Sequence, residues 1–202
     1  VTRVTNAGFF MQSQVEDGLT TTSDGIYVYV GSTPSVSSGQ LVQVSGLVAE
    51  YNTGASTNTL TAGHTVTELT SPSVSVLGSG YSVTPTVLNL PATEAQLEAL
   101  EGMLVQVNNQ LTASQNYFQG QFGQVTLSAG GRLEKPTNRF RPGTADAVAM
   151  ATSNAQRTLL LDDGSSALNP NPTPYIGADN TLRAGDTVDS LTGVIDYGDR
   201  KS

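Results

Sequence analysis

The sequence predicts a mainly β protein built as two small tandem barrels, and three observations carry that expectation. The 202 residues include 26 Thr, 20 Ser and 21 Gly but only 13% charged positions, a composition that favours strands and turns over helices. Apolar and polar residues alternate with a period of two through most segments. One strand pattern also occurs twice. SGQLVQVSGLVAEY (38–51) and AGDTVDSLTGVIDY (184–197) share a small residue and Gly, an apolar strand, a second Gly, two apolar residues, an acid and Tyr. The second copy has one further residue between its glycines, which a β-bulge absorbs. A glycine inside an apolar strand suits the sharp bend of a small curled barrel; the alternative is a bulge on the edge of a sandwich.

Taken in order, strands are expected over 1–5, 9–13, 25–31 and 40–51, separated by Gly, Asn and Ser-Thr turns, and then over 57–61 and 65–70. Residues 71–91 carry Pro72, Pro85 and Pro91 and read as an extended connection that closes the first barrel. TEAQLEALEG (93–102) has Thr and Gln at capping-box spacing, acids in its first turn and a terminal Gly, and so predicts a short helix over 94–101. Strands follow over 103–107, 124–128 and 158–161, with a second helix over 145–155 and a final strand over 187–197. The expected domains are 1–91 and 92–202, each of ordinary size for a small barrel.

Charge and composition narrow the function. A net charge of −8 with a pI near 4.4 argues against a surface that wraps nucleic acid, so any such contact must be local. Without cysteine there are no disulfides, thiolate metal ligands or cysteine nucleophiles. Together with only two lysines, Lys135 and Lys201, this fits a protein secreted by a bacterium, an extracellular location. No apolar run approaches the ~20 residues that cross a bilayer, and no membrane partner is expected.

The ordered set GFFMQ (8–12), DGIYVYVG (24–31), LVQVSGLVAEY (41–51), LEALEGMLVQV (97–107), FGQVTLSAGGRLEKPTN (122–138), LLLDDGSS (159–166) and LRAGDTVDSLTGVIDY (182–197) resembles the non-catalytic part of bacterial extracellular nucleases. In that family OB-fold-like modules precede a catalytic domain of the endonuclease/exonuclease/phosphatase type. The resemblance spans nearly the whole chain and implies two OB-fold-like barrels. It also implies a parent enzyme whose metal-dependent phosphodiesterase chemistry uses carboxylates, histidines and Mg2+ or Ca2+. The departure lies at DYGDRKS (196–202), where a further strand is expected. With His64 as the one histidine, a paired-histidine site cannot be assembled, so catalysis is expected in a downstream domain, with no cofactor in this chain. His64 itself reads as a turn residue.

Single-strand binding by such barrels combines aromatic stacking with cations along the phosphate path. Tyr27 and Tyr29 share a strand face and are the stacking candidates; their ordinary role is a half-buried barrel seam. Phe9 and Phe10 must point oppositely and read as core. Arg132, Lys135, Arg139 and Arg141 fall within ten residues of GRLEKPTNRFRPG, where Pro136 and Pro142 limit helix and strand and predict an exposed loop. They form the candidate phosphate contact, for which single-stranded DNA is the favoured partner; docking of the catalytic domain or plain solvation would use the same charges. Asp162 and Asp163 can offer oxygen ligands to a weak Ca2+ site, but without D-x-D-x-D-G spacing they fit turn capping better. The competing class is a structural or adhesive extracellular β-array without a nucleic-acid role.

Overall fold

The computed structural model describes residues 1–53 and 65–197. The expected strand over 57–61 and His64 lie outside the described residues. The chain is mainly β, with three sheets of five, four and three strands. None of the three sheets closes into a barrel among the described residues. It divides into two compact units. Unit 1 comprises Val1–Thr86, Ala95–Gln106 and Thr192–Ser202, and unit 2 comprises Val87–Glu94 and Val107–Leu191. The expected boundary at 91/92 therefore lies near the first crossing, but the chain returns to unit 1 twice afterwards.

Unit 1 carries the sheet β1 (Arg3–Val4), β2 (Gly8–Gln12), β3 (Gly25–Tyr29), β4 (Leu41–Asn52) and β5 (Thr65–Gly78), in the spatial order β1-β2-β3-β5-β4. The β3·β5 pair is parallel and the others are antiparallel. Pairing Phe9 with Val28 puts both side chains on one face, where they are 0% exposed and pack with Val36, Met11 and Leu69. Phe10, the next residue, points to the opposite face and is buried as well, so β2 is covered on both sides. Complete burial of a phenylalanine stabilises by about 1.5–3 kcal/mol.

Strand β5 corrects the expectation of a connection after residue 70, because it continues through Pro72 to Gly78. Proline fits there because the β4·β5 ladder changes register between Ser45 and Leu47, opposite Ser71–Pro72, where Ser71 has φ +50° and no ladder bond is required of Pro72. Gly46 lies at that bulge, where a side chain's Cβ would sit 2.9 Å from the Thr70 carbonyl oxygen. Gly46 is therefore required by close backbone approach.

After β6 (Thr86–Leu88), helix α1 (Glu94–Glu98) is shorter than predicted and runs into a turn at Gly102, which has φ +71°. Strands β7 (Leu104–Val107), β8 (Leu111–Gln115), β9 (Gln124–Ala129) and β10 (Thr158–Asp162) follow, with α2 (Gln119–Phe122) before β9 and α3 (Ala145–Gln156) before β10. Thr144 caps α3 by accepting from the Ala147 N–H. Strands β6 and β8 and helix α2 are additions to the sequence reading. Chain order ends with β11 (Thr187–Val188) and β12 (Leu191–Val194).

In unit 2 the sheet order is β10-β9-β8-β11. Leu111, Ala113, Val125, Leu127 and Ala129 are buried along β8 and β9. The three-stranded sheet has the order β12-β7-β6.

The predicted strand over 187–197 is thus two short strands in different sheets, interrupted at Asp189–Ser190. Gly193 has open space around it, so the two glycines of the duplicated pattern lie in unlike surroundings. Unlike Gly46, nothing crowds Gly193.

Candidate functional site

The basic segment belongs to unit 2 and is held at its start by a polar framework. Strand β9 ends at Ala129, and Gly130 and Gly131, with φ of +70° and +91°, turn the chain away. Fully buried Ser128 donates its hydroxyl to the Gly131 carbonyl at 2.9 Å and shares a 2.5 Å hydrogen bond with the Ser114 hydroxyl. The Ser114 hydroxyl oxygen in turn accepts from the Leu133 N–H. Arg157, just past α3, donates through Nη1 to the carbonyls of Ala129 and Gly131, at 2.7 and 2.9 Å. Its Nη2 donates to the Arg132 carbonyl and to Asn154 Oδ1. Asn154 Nδ2 completes the frame by donating to the Glu134 carbonyl. One guanidinium thereby satisfies three loop carbonyls, as its planar fork of five donors allows.

On this frame Arg132, Lys135, Arg139 and Arg141 are all exposed. Arg139 is committed to Glu134, with both Nε and Nη2 at 2.7 Å from Oε2. Arg132, Lys135 and Arg141 make no ion pair among the described residues, which leaves three cations for an external anion.

The tyrosines belong to unit 1, so the two halves of the expected nucleic-acid site lie on different units. Tyr27 packs against Phe10 with ring centroids 4.8 Å apart, and its hydroxyl bonds the Thr5 hydroxyl at 3.1 Å. Its ring also covers Gly8, where a Cβ would meet the Tyr27 Oη at 2.6 Å. Phe10 and Gly8 thus cover part of the Tyr27 ring, which is half-buried. Burial pushes its phenol pKa up, reinforced by the carboxylates of Asp196 and Glu68. Tyr29 is 44% exposed.

Asp162 and Asp163 spend their oxygens locally. Asp162 accepts from the Gly164 N–H at 2.6 Å and from Gln124 Nε2 at 2.7 Å, and Asp163 accepts from the Ser165 N–H at 2.9 Å. Both N–H contacts span two residues, as Asx turns do. Among the described residues no three acidic or histidine side chains converge as a metal would require.

Sequence reading missed the acidic character of unit 1 and its buried centre, Glu101. Glu101 is 8% exposed; its carboxylate accepts from the Thr67 N–H at 3.2 Å, while its carbonyl accepts from the Ser23 hydroxyl. Burial first, then repulsion from Glu98, pushes its pKa up to about 7, with Asp196 and Glu50 adding to the shift. The described residues of unit 1 hold eight carboxylates and one basic side chain, Arg3, whereas those of unit 2 hold eight carboxylates and six basic side chains. An open cleft of about 660 Å³ in unit 1, lined by Met11, Gln12, Ile26, Val42, Tyr81 and Leu104 among others, has Asp24 as its one charged side chain. Compared with known proteins, the chain matches no family model, no characterised protein and no solved structure.

Proposed function

We propose that this chain is the non-catalytic, nucleic-acid-binding or scaffolding region of a secreted bacterial nuclease, built from two OB-fold-like modules. The observation that carries the reading is strand order. If β8, β9, β10 and β11 are numbered one to four, their sheet runs 4-1-2-3, the Greek-key order in which a fourth strand returns beside the first. The unit 1 sheet runs 1-2-3-5-4 with strands three and five parallel. Both orders are arcs of the same ring, 1-2-3-5-4 and back to 1, which is that of a partly open five-stranded OB-type barrel. Along with the segments that resemble secreted nucleases, this supports two related modules in series.

In this reading the Arg132, Lys135 and Arg141 loop contacts single-stranded DNA or orients a downstream phosphodiesterase domain, which supplies the Mg2+ or Ca2+ chemistry. The test is to incubate the purified chain with a single-stranded oligonucleotide and Mg2+ at low salt. Retarded migration without strand scission is the expected result. Scission that survives repurification and is lost on changing one carboxylate would place catalysis in the chain itself. A complete lack of binding at low salt would remove the DNA contact. The alternative, a structural or adhesive array, draws on the acidity of unit 1, which repels a polyanion.

A further inference from the structure

We propose that the outer edge of β4 in unit 1 accepts an extended, basic peptide segment as an added antiparallel β-strand. Strand β4 is the last strand of its sheet and, at 12 residues, is long for an edge. Exposed edges are normally protected by Lys, Pro or inward-pointing charges. Residues 41–52 contain no Lys, Arg or Pro. Their one charge, Glu50, is turned toward its own sheet, where it accepts from the Thr65 and Thr67 hydroxyls at 2.6 and 2.9 Å. Leu47 and Val48 are 68% and 71% exposed, and Tyr51 is 55% exposed. Among the described strands the edge from Leu41 to Tyr51 has no ladder partner on its outer side, and it carries uncovered apolar side chains; together these supply affinity and specificity in strand addition.

Charge complementarity selects the occupant. Glu50, Glu68 and Glu101 sit on or bond to β4 and β5, and Glu98 and Asp196 lie close enough to Glu101 to repel its charge. With Arg3 as the one described basic side chain of unit 1, an incoming acidic strand meets repulsion and a basic one relieves it. Direction follows from the contacts just before β4. The Val1 amine donates to the Gln40 carbonyl at 2.7 Å, and the Gly39 N–H donates to the Val1 carbonyl at 2.9 Å. An added strand continuing that antiparallel sense runs along 41–52 and ends where Val1 already occupies the edge. This inference does not depend on the nucleic-acid reading, which concerns unit 2.

The probe is a synthetic peptide of about ten residues alternating lysine with valine, compared with the same peptide carrying glutamate in place of lysine. Titrations are followed by anisotropy of a label on the peptide and by amide hydrogen exchange of the chain. The expected result is saturable binding of the basic peptide that weakens with salt, at least tenfold weaker binding of the acidic one, and new protection confined to 41–52. Leu47→Lys with Val48→Lys, two exposed positions whose change leaves the core intact, should weaken binding at least tenfold while circular dichroism stays unchanged. The proposal is overturned if neither peptide binds, if both bind equally, or if the double substitution has no effect. It is equally overturned if sedimentation shows that a second copy of the chain covers the edge and excludes the peptide.

Discussion

At the scale of single residues, Glu101 decides how unit 1 responds to pH. In an unfolded chain its carboxyl titrates near 4.5, and in the native unit it titrates at about 7. A native state that holds the proton more tightly is favoured below the unfolded value and loses that advantage as pH rises through about 7. Unit 1 should therefore become easier to unfold between about pH 5 and pH 7.5, by an amount on the order of 1–2 kcal/mol after screening. Glu101→Gln retains an acceptor for the Thr67 N–H and removes the charge, so urea midpoints measured across that range should flatten and rise at the alkaline end. An unchanged slope in the variant would assign the effect to Glu68, whose pKa burial also raises. No sequence pattern marks Glu101, because its bonding partners Thr67 and Ser23 lie 34 and 78 positions away. Phe9 and Phe10 were legible because adjacent apolar residues in a strand must face opposite sides, and both sides here are covered.

At the scale of elements, what the sequence disclosed and what it hid differ by the range of the interaction. The helix over 145–155, the alternation in β2 to β4 and the Gly-ended turn after α1 are local, and each appears within a few residues of its expected position. The length of β5 was hidden because Pro72 forbids an ordinary ladder bond, and only the bulge in the neighbouring strand at Gly46 accommodates it. The break of the last strand into β11 and β12 was hidden for a related reason, since the two halves follow different partner strands. The basic loop was visible as a run of cations, but its frame was not. Arg157→Lys tests that frame, because an ammonium cannot reach the carbonyls of Ala129, Gly131 and Arg132 together as the guanidinium does. The variant should lose about 1–3 kcal/mol of unit 2 stability and show faster amide exchange over 130–135 than over 125–128. Equal exchange in variant and parent would show that Ser128 and Asn154 suffice to hold the loop.

At the scale of the whole molecule, the formal charge of −8 conceals an uneven division, and that division sets what DNA binding can look like. Six of the described basic side chains lie in unit 2, but Arg157 is spent on loop carbonyls, Arg139 on Glu134, and Arg183 faces Asp179 at 3.5 Å. Three cations, Arg132, Lys135 and Arg141, remain to neutralise phosphates. Each contact on a single strand contributes about −0.7 to the slope of log affinity against log salt, so the expected slope is about −2. Binding of that kind is weak, and Tyr27, partly covered by Phe10 and Gly8 and placed in unit 1, adds no phosphate contact to it. Arg132→Ala with Arg141→Ala should bring the slope to about −0.7, as one remaining contact would. Tyr27→Leu should destabilise unit 1 and leave the slope as it was. Anisotropy titrations of a single-stranded oligonucleotide at four or more salt concentrations measure both quantities. A slope near −2 that the arginine substitutions leave unchanged would move the phosphate contact off this loop. A steeper parental slope, about −4 or beyond, would require more cations than unit 2 has free and would assign part of the binding to another surface.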